Sequence, residues 1–343
     1  MNFSSGLTIG NLIGQGGFGD VYEGTDEVHG KVAVKVLRRR SFETESDWLA
    51  RKDQLLSEAQ HLREARHKNV VPVLYAVRSQ DDGSLHMVTE FCEGGSLERL
   101  YKAGPIKISK TRKIVTDICL GLDALHVRGM IHRDIKPGNI LYSDSRWKIG
   151  DFGLVTNDVI LGYASDRGYL DHLAPEVHKD QVTSVKTDVW ALGMTIYRLL
   201  HGEQFYESAF TGKDISDLVM AGSFATRLPW LPHIPKVWRK VIRKALHDDS
   251  SLRFDSVSDL SQAIGKLSIA PDWQCAFRND LTSWTLQNKR RMVSVEWEVI
   301  SPRKHLWRAD SVGGSHKRRL GGSKFPQSKE KVYSEIEEFL LSF

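Results

Sequence analysis

The chain has 343 residues, of which 41% are hydrophobic and 27% are charged, and its formal net charge is +5 at pH 7. This composition excludes disordered and fibrous proteins and is typical of a globular chain large enough for two lobes and a substantial core. The modest positive charge does not by itself imply nucleic-acid binding.

Targeting and redox signals are absent from the sequence. Cys92, Cys119 and Cys275 show no metal-ligand spacing and cannot form a complete set of disulfides. The N-terminus does not resemble a signal peptide, and no apolar run reaches the roughly 18 residues that span a bilayer. We therefore expect a soluble, cytoplasmic protein that does not contact membranes.

Short β-like runs dominate the first ninety residues, at 7–13, 20–23, 31–37, 71–77 and 85–89. One helix is predicted among them, at 46–66, because leucine and alanine side chains recur there near helical spacing. These are Leu49, Leu55, Leu56, Ala59 and Leu62. The pattern predicts a small sheet that carries one long helix.

From residue 94 the pattern becomes helical. Ser109 is the expected cap of a helix whose Ile114, Ile118, Leu122 and Leu125 share one face. A second helix is predicted from about Ser184 to a stop at Gly202. Further helices are predicted at 215–221, 236–246 and 256–267.

The composition changes near residues 268–272. Beyond this point the sequence predicts a hairpin of strands 291–300 and 305–309, then a glycine-rich basic loop and an amphipathic helix at 328–341. We therefore divide the chain into 1–92, a small lobe, 93–268, a larger lobe, and 269–343, a small C-terminal α/β extension.

A glycine-rich run lies between the first two β-like segments. It comprises Ile13, Gly14, Gln15, Gly16, Gly17, Phe18, Gly19, Asp20 and Val21. Glycines let the backbone approach phosphates and direct its N–H groups at them. The same spacing also marks Rossmann folds, which need a helix directly after the glycines. Because residues 21–24 continue as a strand, the sequence argues against NAD binding.

A lysine follows in the next β-like run. Lys35 would lie on a strand beside the glycine-rich run. A lone lysine is more often an ordinary surface residue, but Glu58 on the predicted helix offers the anion that a partly buried lysine needs. We therefore expect Lys35 and Glu58 to pair.

The most informative run is at 132–139, followed by Asp151. Asp134 can accept or orient the proton of an attacking hydroxyl, and Lys136 can neutralise charge on a moving phosphoryl group. Asn139 and Asp151 can hold Mg²⁺, with Mn²⁺ as an alternative, against phosphate oxygens. This order of groups predicts phosphoryl transfer to a hydroxyl.

Six motifs now stand in a fixed order along the chain. They are the glycine-rich run, Lys35, Glu58, the 132–139 run, Asp151-Phe152-Gly153 and Ala174-Pro175-Glu176. Over residues 7–267 the chain therefore resembles the eukaryotic-type (Hanks-type) serine/threonine protein kinases. The resemblance implies an α+β, two-lobed protein-kinase-like fold with ATP in the cleft between the lobes.

The resemblance also implies the residues of the ATP site. Lys35 would contact the α- and β-phosphates while Glu58 braces it. Thr89 would be the gatekeeper at the back of the adenine pocket. Glu90, Phe91 and Cys92 would form the hinge, whose backbone would hydrogen-bond the adenine. The apolar residues that would enclose the adenine from both sides are Val21, Ala33 and Leu141.

Catalytic roles follow in the same way. Asp134 would be the catalytic base, with Asn139 and Asp151 as metal ligands. Lys136 implies serine/threonine specificity, since tyrosine kinases usually carry Ala-Ala-Arg or Arg-Ala-Ala in that span.

Structural roles are also implied by the resemblance. His132 would lie beneath Phe152 in a hydrophobic column with Leu62, a structural role that we favour over acid/base catalysis. Asp188 would anchor the backbone of the catalytic loop from a central helix.

Two further pairings concern the substrate side. Glu176 would pair with Arg253 and hold the substrate-side segment in place. Arg133, next to Asp134, would pair with a phosphate on the activation segment, with Ser165 as the first candidate and Thr156 and Tyr163 as others.

Two positions depart from the family pattern. Tyr169 stands where most serine/threonine kinases have threonine, and His172 stands where they have tyrosine. A phenol cannot replace a small hydroxyl, so the sequence predicts a differently arranged substrate-side loop or an alignment shifted by one residue.

The C-terminal extension carries 13 Lys and Arg residues against 9 Asp and Glu residues. Its basic clusters, at 289–291 and 317–319, lie near Trp284, Trp297 and Trp307 in the sequence. A nucleic-acid or acidic-substrate surface is one interpretation. We favour the other, a solvated face around a small tryptophan core packed on the large lobe.

Together these features predict a serine/threonine protein kinase that uses ATP and Mg²⁺, acts on protein substrates and phosphorylates itself. The alternative from another class is a pseudokinase that acts as a nucleotide-binding scaffold. A third interpretation is a kinase that acts on a small molecule. The 174–176 motif and Arg253 argue against it, because both belong to the pattern of kinases with protein substrates.

Overall fold

The computed structural model describes residues 6–16, 19–39, 41–79, 82–150, 167–288, 291–313 and 316–343. Its first part is an antiparallel sheet with strand order β1-β2-β3-β5-β4. The strands are β1 (Thr8–Gly16), β2 (Gly19–Asp26), β3 (Gly30–Leu37), β4 (Val73–Arg78) and β5 (Leu85–Glu90). All five predicted β-like runs are confirmed, with ends that differ by a few residues.

A single helix, α1 (Glu45–Glu64), accompanies this sheet, as predicted. Leu55, Ala59 and Leu62 are buried on its inner face. Leu49, expected on that face, is instead 45% exposed, and the preceding Trp48 takes the buried position. The larger aromatic side chain buries more apolar area, and this sets the rotation of the first turn.

The second part of the chain is mainly helical. Its helices are α2 (Glu98–Ala103), α3 (Ile108–His126), α4 (Pro175–Asp180), α5 (Val185–His201), α6 (Glu203–Phe210), α7 (Ile215–Met220), α8 (Phe224–Arg227), α9 (Lys236–Ala245) and α10 (Val257–Gly265). A two-stranded hairpin, β6 (Ile140–Ser143) and β7 (Arg146–Ile149), follows the 132–139 run. The predicted helical lobe is confirmed.

Helix α5 runs through the centre of this lobe, and its ends follow from the sequence. The Ser184 hydroxyl accepts the Lys186 N–H, and the Thr187 hydroxyl accepts the Ser184 N–H in return, which forms a capping box. At the other end Gly202 has φ 74°, a left-handed value that favours glycine. The predicted start and stop of this helix are confirmed.

The predicted cap of α3 is wrong. The helix begins at Ile108, two residues before the start that a Ser109 cap would give, and its N-cap, Lys107, makes no side-chain capping bond. The Ser109 N–H and hydroxyl instead donate to the two carboxylate oxygens of Asp272, at 3.0 and 2.5 Å. Asp272, 163 residues away in the sequence, therefore accepts the hydrogen bond of the hydroxyl that the local sequence predicted as the helix cap. The predicted apolar face of α3 is confirmed, since all four of its residues are buried.

The C-terminal extension is a five-stranded antiparallel meander followed by one helix. Its strands are β8 (Gln274–Arg278), β9 (Leu281–Asn288), β10 (Arg291–Ser301), β11 (Lys304–Gly313) and β12 (His316–Gly322), and the helix is α11 (Lys329–Leu341). The predicted hairpin and helix are confirmed. The predicted glycine-rich basic loop is wrong, because residues 316–322 pair with β11 as an edge strand.

A hydrogen bond and an ion pair join the extension to the large lobe. The Trp284 indole N–H donates to His233 Nδ1 at 3.0 Å. Within the extension, Trp273 donates to the Leu340 carbonyl of α11 at 3.0 Å. Arg239 of α9 lies 2.6 Å from Glu337 of α11. Trp284, Trp297 and Trp307 are buried, so their rings form a core and offer no exposed face for stacking on nucleic-acid bases.

No helix within the described ranges combines the length and apolarity that crossing a bilayer requires. The cytoplasmic location and the boundaries at 92/93 and 268/269 stay predictions.

Candidate active site

The 132–139 run forms a loop whose backbone is held by one buried carboxylate. Asp188, on α5, accepts the N–H of His132 at 2.9 Å and the N–H of Arg133 at 2.8 Å. Its Oδ2 also lies 2.7 Å from His126 Nε2. Arg133 has φ 70°, a value that an L-residue adopts only at a cost. These bonds hold the loop in that conformation, as expected of Asp188.

Asp134 lies at the centre of this loop and is almost completely buried. The Asn139 side-chain amide donates to the Asp134 carbonyl at 2.8 Å and to its Oδ2 at 2.7 Å. Asp134 Oδ1 lies 3.3 Å from the Lys136 ammonium. The three side chains singled out in the sequence are therefore in direct contact, and the carboxylate has one fixed orientation.

His132 uses both ring nitrogens within the protein. Its Nδ1 accepts the Asp134 N–H at 3.2 Å, and its Nε2 donates to the Gly150 carbonyl at 3.2 Å. These partners require the neutral tautomer with the proton on Nε2. The geometry supports a structural role for His132, because neither nitrogen faces a reacting group.

Asn139 fits the role of a metal ligand. Since its amide nitrogen is bonded to Asp134, its amide oxygen is the atom left to face a cation. Carbonyl and carboxylate oxygens are the ligands that hard divalent cations prefer. Asp151, the second predicted ligand, lies outside the described residues.

The register of the first sheet brings the predicted nucleotide residues to one face. Val21 stands opposite Lys35 on β2 and β3, and Ala33 stands opposite Thr89 on β3 and β5. Directly opposite residues of an antiparallel pair point to the same side, as do residues two apart along a strand. Val21, Ala33, Lys35 and Thr89 therefore share one face, where Lys35 is only 5% exposed.

Several predicted residues of this region cannot be placed. Gly17, Phe18, Phe152, Ser165, Thr156 and Tyr163 lie outside the described residues, and the Glu58 side chain does as well. Residue 58 belongs to α1, but its pairing with Lys35 stays a prediction. Strand β1 ends with Ile13, Gly14, Gln15 and Gly16. Strand β2 begins with Gly19 and Asp20.

The predicted hinge follows β5. The Glu90 N–H donates to the Pro72 carbonyl at 3.2 Å, and the Glu90 carbonyl accepts the Thr89 hydroxyl at 3.5 Å. Burial raises the pKa of the Cys92 thiol to about 12, so it is protonated at neutral pH. Leu141, on β6, is half-buried on the side of the large lobe.

Lys148 was missed in the sequence, although it contacts the hinge. Its ammonium lies 2.8 and 2.7 Å from the two oxygens of Glu90 and 2.7 Å from Asp144. The Ser143 hydroxyl donates to Glu90 Oε1 at 2.5 Å. No local signal marks Lys148, since a lysine in a short strand is usually a solvated residue.

The two departures from the family pattern lie in a buried polar cluster. Tyr169 is buried, and its ring centroid lies 5.7 Å from the Lys136 ammonium. His172 is buried beside Asp171, with its Nδ1 3.1 Å from Oδ1. Asp171 in turn forms a two-point ion pair with Arg198 at 2.8 and 3.1 Å, which the sequence did not predict.

Glu176 and Arg253 form the expected pair. The Arg253 guanidinium donates to the two oxygens of Glu176 at 2.6 and 2.8 Å and to the His247 carbonyl at 2.7 Å. Arg133 donates to the Thr183 hydroxyl at 3.0 Å. The pair of Glu176 and Arg253 therefore fixes the 174–176 motif to the body of the large lobe.

A model of the protein kinase domain matches residues 7–263 of the chain. The chain belongs to the protein kinase family. Members bind ATP together with a divalent metal ion. The two-lobed α+β architecture and the geometry around Asp134 agree with this membership.

The chain is similar to several proteins that are named as serine/threonine-protein kinases. Serine/threonine-protein kinase STY46 of Arabidopsis thaliana is 31% identical, over 76% of this chain and 44% of its own length. The cell cycle serine/threonine-protein kinase CDC5/MSD2 of Saccharomyces cerevisiae is 32% identical, over 58% of this chain and 28% of its own. The probable serine/threonine-protein kinase PknB of Lactococcus lactis is 29% identical, over 75% and 41%. The kinase thus matches less than half the length of each of these three relatives.

Proposed function

We propose that the protein transfers the γ-phosphoryl group of ATP to serine or threonine hydroxyls of protein substrates, itself included, with Mg²⁺ as the metal ion. The observation that carries the proposal is the contact of Asp134 with both Asn139 and Lys136 on a loop held by Asp188. A buried carboxylate in a fixed orientation is what proton transfer from a hydroxyl requires.

The reaction exchanges one P–O bond for another. The substrate hydroxyl oxygen bonds to the γ-phosphorus, the bond to the β–γ bridging oxygen breaks, and ADP leaves. The hydroxyl proton passes to the Asp134 carboxylate. Lys136, 3.3 Å from that carboxylate, lies where it can neutralise charge on the transferred group.

The inner face of the small lobe would bind the nucleotide. Lys35 would pair with phosphate oxygens, and Val21 and Ala33 from above and Leu141 from below would enclose the adenine. Asn139, with Asp151, would hold Mg²⁺, and Mn²⁺ satisfies the same oxygen ligands. The bound ion would neutralise the phosphates.

The proposal is tested by incubating the full chain with ATP and Mg²⁺ and mapping phosphosites by mass spectrometry. We expect phosphoserine and phosphothreonine from the wild type and a loss of about a hundredfold or more in Asp134→Asn, since positioned acid–base groups contribute about 10²–10⁴-fold. The matched control is Asp280→Asn, an exposed aspartate of the extension, which should keep wild-type activity.

Nucleotide affinity is measured in parallel. Asp134→Asn should bind ATP as the wild type does, because Asp134 acts on the hydroxyl. Wild-type binding of ATP without any transfer would favour the scaffold alternative. Phosphotyrosine as the main product would overturn the serine/threonine assignment.

A further inference from the structure

Strand β12 lies at the edge of the sheet in the extension. The strand order gives it one neighbour, β11, and no other described strand pairs with it. Backbone N–H and C=O groups point alternately to the two sides of a strand, so about half of those in β12 point away from β11. An open edge of this kind can pair with a strand of another chain.

Basic side chains cover this edge. Lys317, Arg318 and Arg319 follow one another along β12, and all three are exposed. Successive side chains of a strand point to opposite faces, so Lys317 and Arg319 lie on one face of the sheet and Arg318 on the other. A strand that paired with β12 would therefore meet cations on both of its faces.

A further basic residue reaches the same end of the sheet. Arg291 begins β10, and its side chain lies against Gly313, the last residue of β11, since a Cβ atom on Gly313 would stand 2.7 Å from Arg291 Cγ. Gly313 pairs in turn with His316, the first residue of β12. Neighbouring strands lie about 4.8 Å apart, so the backbone of Arg291 is about 10 Å from the start of β12. The meander thus brings together basic residues that are distant in the sequence.

Little negative charge accompanies these cations. Lys317 lies 3.2 Å from Asp310 of β11, which is buried. Within the described part of the chain, no carboxylate forms an ion pair with Arg291, Arg318 or Arg319. This end of the sheet therefore carries a net positive charge, and an anionic partner would relieve the repulsion between its cations.

Charge and backbone together select the occupant. The basic side chains repel a second copy of β12, which carries charges of the same sign, and they disfavour an apolar strand that would take them out of water without pairing them. They attract a strand with carboxylates at the facing positions. The outward backbone groups favour a polypeptide over nucleic acid, and the tryptophans of the extension are buried and cannot stack on bases.

We propose that β12 binds an extended, acidic segment of a partner protein, which adds to the sheet as a sixth strand. Its backbone would pair with the outward groups of β12. Carboxylates at alternate positions would lie beside Lys317 and Arg319, and a carboxylate on the other face would lie beside Arg318. Binding of this segment does not require phosphoryl transfer, so it is tested separately from the proposed function.

The test measures binding of fluorescein-labelled peptides to the full chain by fluorescence anisotropy, at low ionic strength, where exposed charges are screened least. The acidic probe is a Glu-Thr repeat. A Lys-Thr repeat of equal length reverses its charge, and a Glu-Pro repeat keeps the charge but lacks half of the backbone donors and favours polyproline II over a strand. We expect the Glu-Thr repeat to bind about tenfold more tightly than either of the others.

The test variant is Lys317→Gln/Arg319→Gln, and the matched control is Arg303→Gln/Lys304→Gln. The control removes the same two kinds of charge at exposed residues of the turn between β10 and β11. Affinity for the Glu-Thr repeat should fall about tenfold in the test variant and less than about twofold in the control. The single variant Arg318→Gln should weaken binding about threefold, with less risk to folding, and urea unfolding checks the stability of all variants.

Three results would overturn the inference. One is an affinity for the Glu-Thr repeat that both Lys317→Gln/Arg319→Gln and Arg318→Gln retain. Another is equal binding of the Glu-Thr and Glu-Pro repeats, which would mean that charge alone accounts for binding and that no strand is added. The third is tighter binding of a labelled oligothymidylate of equal charge that the test variant abolishes, which would assign this edge to nucleic acid.

Discussion

Lys148 joins the hairpin of the large lobe to the last strand of the small lobe, because its ammonium contacts both carboxylate oxygens of Glu90 at 2.7 and 2.8 Å. Lys148 is only 5% exposed. Burial lowers the pKa of Lys148, but hydrogen bonds to Asp144 and Glu90 outweigh it and raise the pKa above its ordinary value. The end of β5, from which the hinge begins, is thereby fixed to the lobe that carries Asp134.

Replacing Lys148 with methionine should destabilise the protein and weaken nucleotide binding. The substitution leaves the Glu90 carboxylate without its main cation. Removing one partner of a buried ion pair lowers the free energy of unfolding by about 3–5 kcal/mol. We expect a value near the lower end, because the Glu90 side chain keeps 23% exposure. Urea unfolding measures the stability, and steady-state kinetics measure KM for ATP, which should rise more than kcat falls.

The double variant Glu90→Gln/Lys148→Met supplies the control. Because it removes both charges, it should be less destabilised than the two single variants added together. Strict additivity would mean that the pair carries no coupling energy and would contradict this prediction.

Breaking the pair of Glu176 and Arg253 should be costly. The Arg253 side chain has no exposed surface and Glu176 keeps 21%, so Arg253→Met leaves a largely buried carboxylate and should lower the free energy of unfolding by about 3–5 kcal/mol. The neighbouring Asp255, 85% exposed and paired with Lys186, is the control, since Asp255→Asn should cost less than about 1 kcal/mol. Equal effects of the two variants would contradict the prediction.

Asp188→Asn should impair catalysis by loosening the loop that carries Asp134. Each carboxylate oxygen accepts one backbone N–H, and an amide can replace only one of the two acceptors. The N–H left without a partner costs about 1–3 kcal/mol, and kcat should fall while the affinity for ATP changes little. A variant with wild-type kcat would show that the loop keeps its conformation without Asp188. Asp217→Asn, on an exposed turn of α7, is the control.

Acid should destabilise the protein through two buried histidines. Burial lowers the pKa values of His201 and His233 to about 3, whereas an unfolded histidine titrates at 6.5. Between these values the unfolded chain binds more protons, so the free energy of unfolding falls as the pH falls from 6.5 toward 3. Each histidine contributes a slope of up to about 1.4 kcal/mol per pH unit.

This prediction is checked by urea unfolding between pH 7 and pH 5, above the range in which carboxylates titrate. His201→Gln should remove about half of the slope that the two histidines cause. An unchanged slope in this variant would show that His201 titrates normally in the folded protein.

Local chemistry in the sequence was sufficient for much of this protein. The 132–139 run predicted the neighbours of Asp134, because residues two and five apart in a tight loop necessarily stay close. Ser184 and Gly202 likewise predicted the ends of α5, since capping and left-handed backbone depend on adjacent residues. The resemblance to kinases supplied the pairing of Glu176 with Arg253.

Other features depended on partners distant in sequence, and the sequence could not predict them. Ser109 appeared to be a cap, but Asp272 accepts its hydrogen bonds. The sequence predicted a basic loop at 316–322, because glycine and charged residues are disfavoured in strands. In the structure these residues instead pair with β11, which satisfies the backbone hydrogen-bonding groups that face it.

The sequence by itself determined the family, the central strands and helices, and the contacts within the catalytic loop, because these depend on periodicity and on residues close in the chain. Only the tertiary structure decided that Lys148 holds Glu90 and that Arg198 neutralises Asp171. Which charged side chains pair depends on their burial and on contacts between segments that are distant in the sequence. The local sequence reveals neither of these.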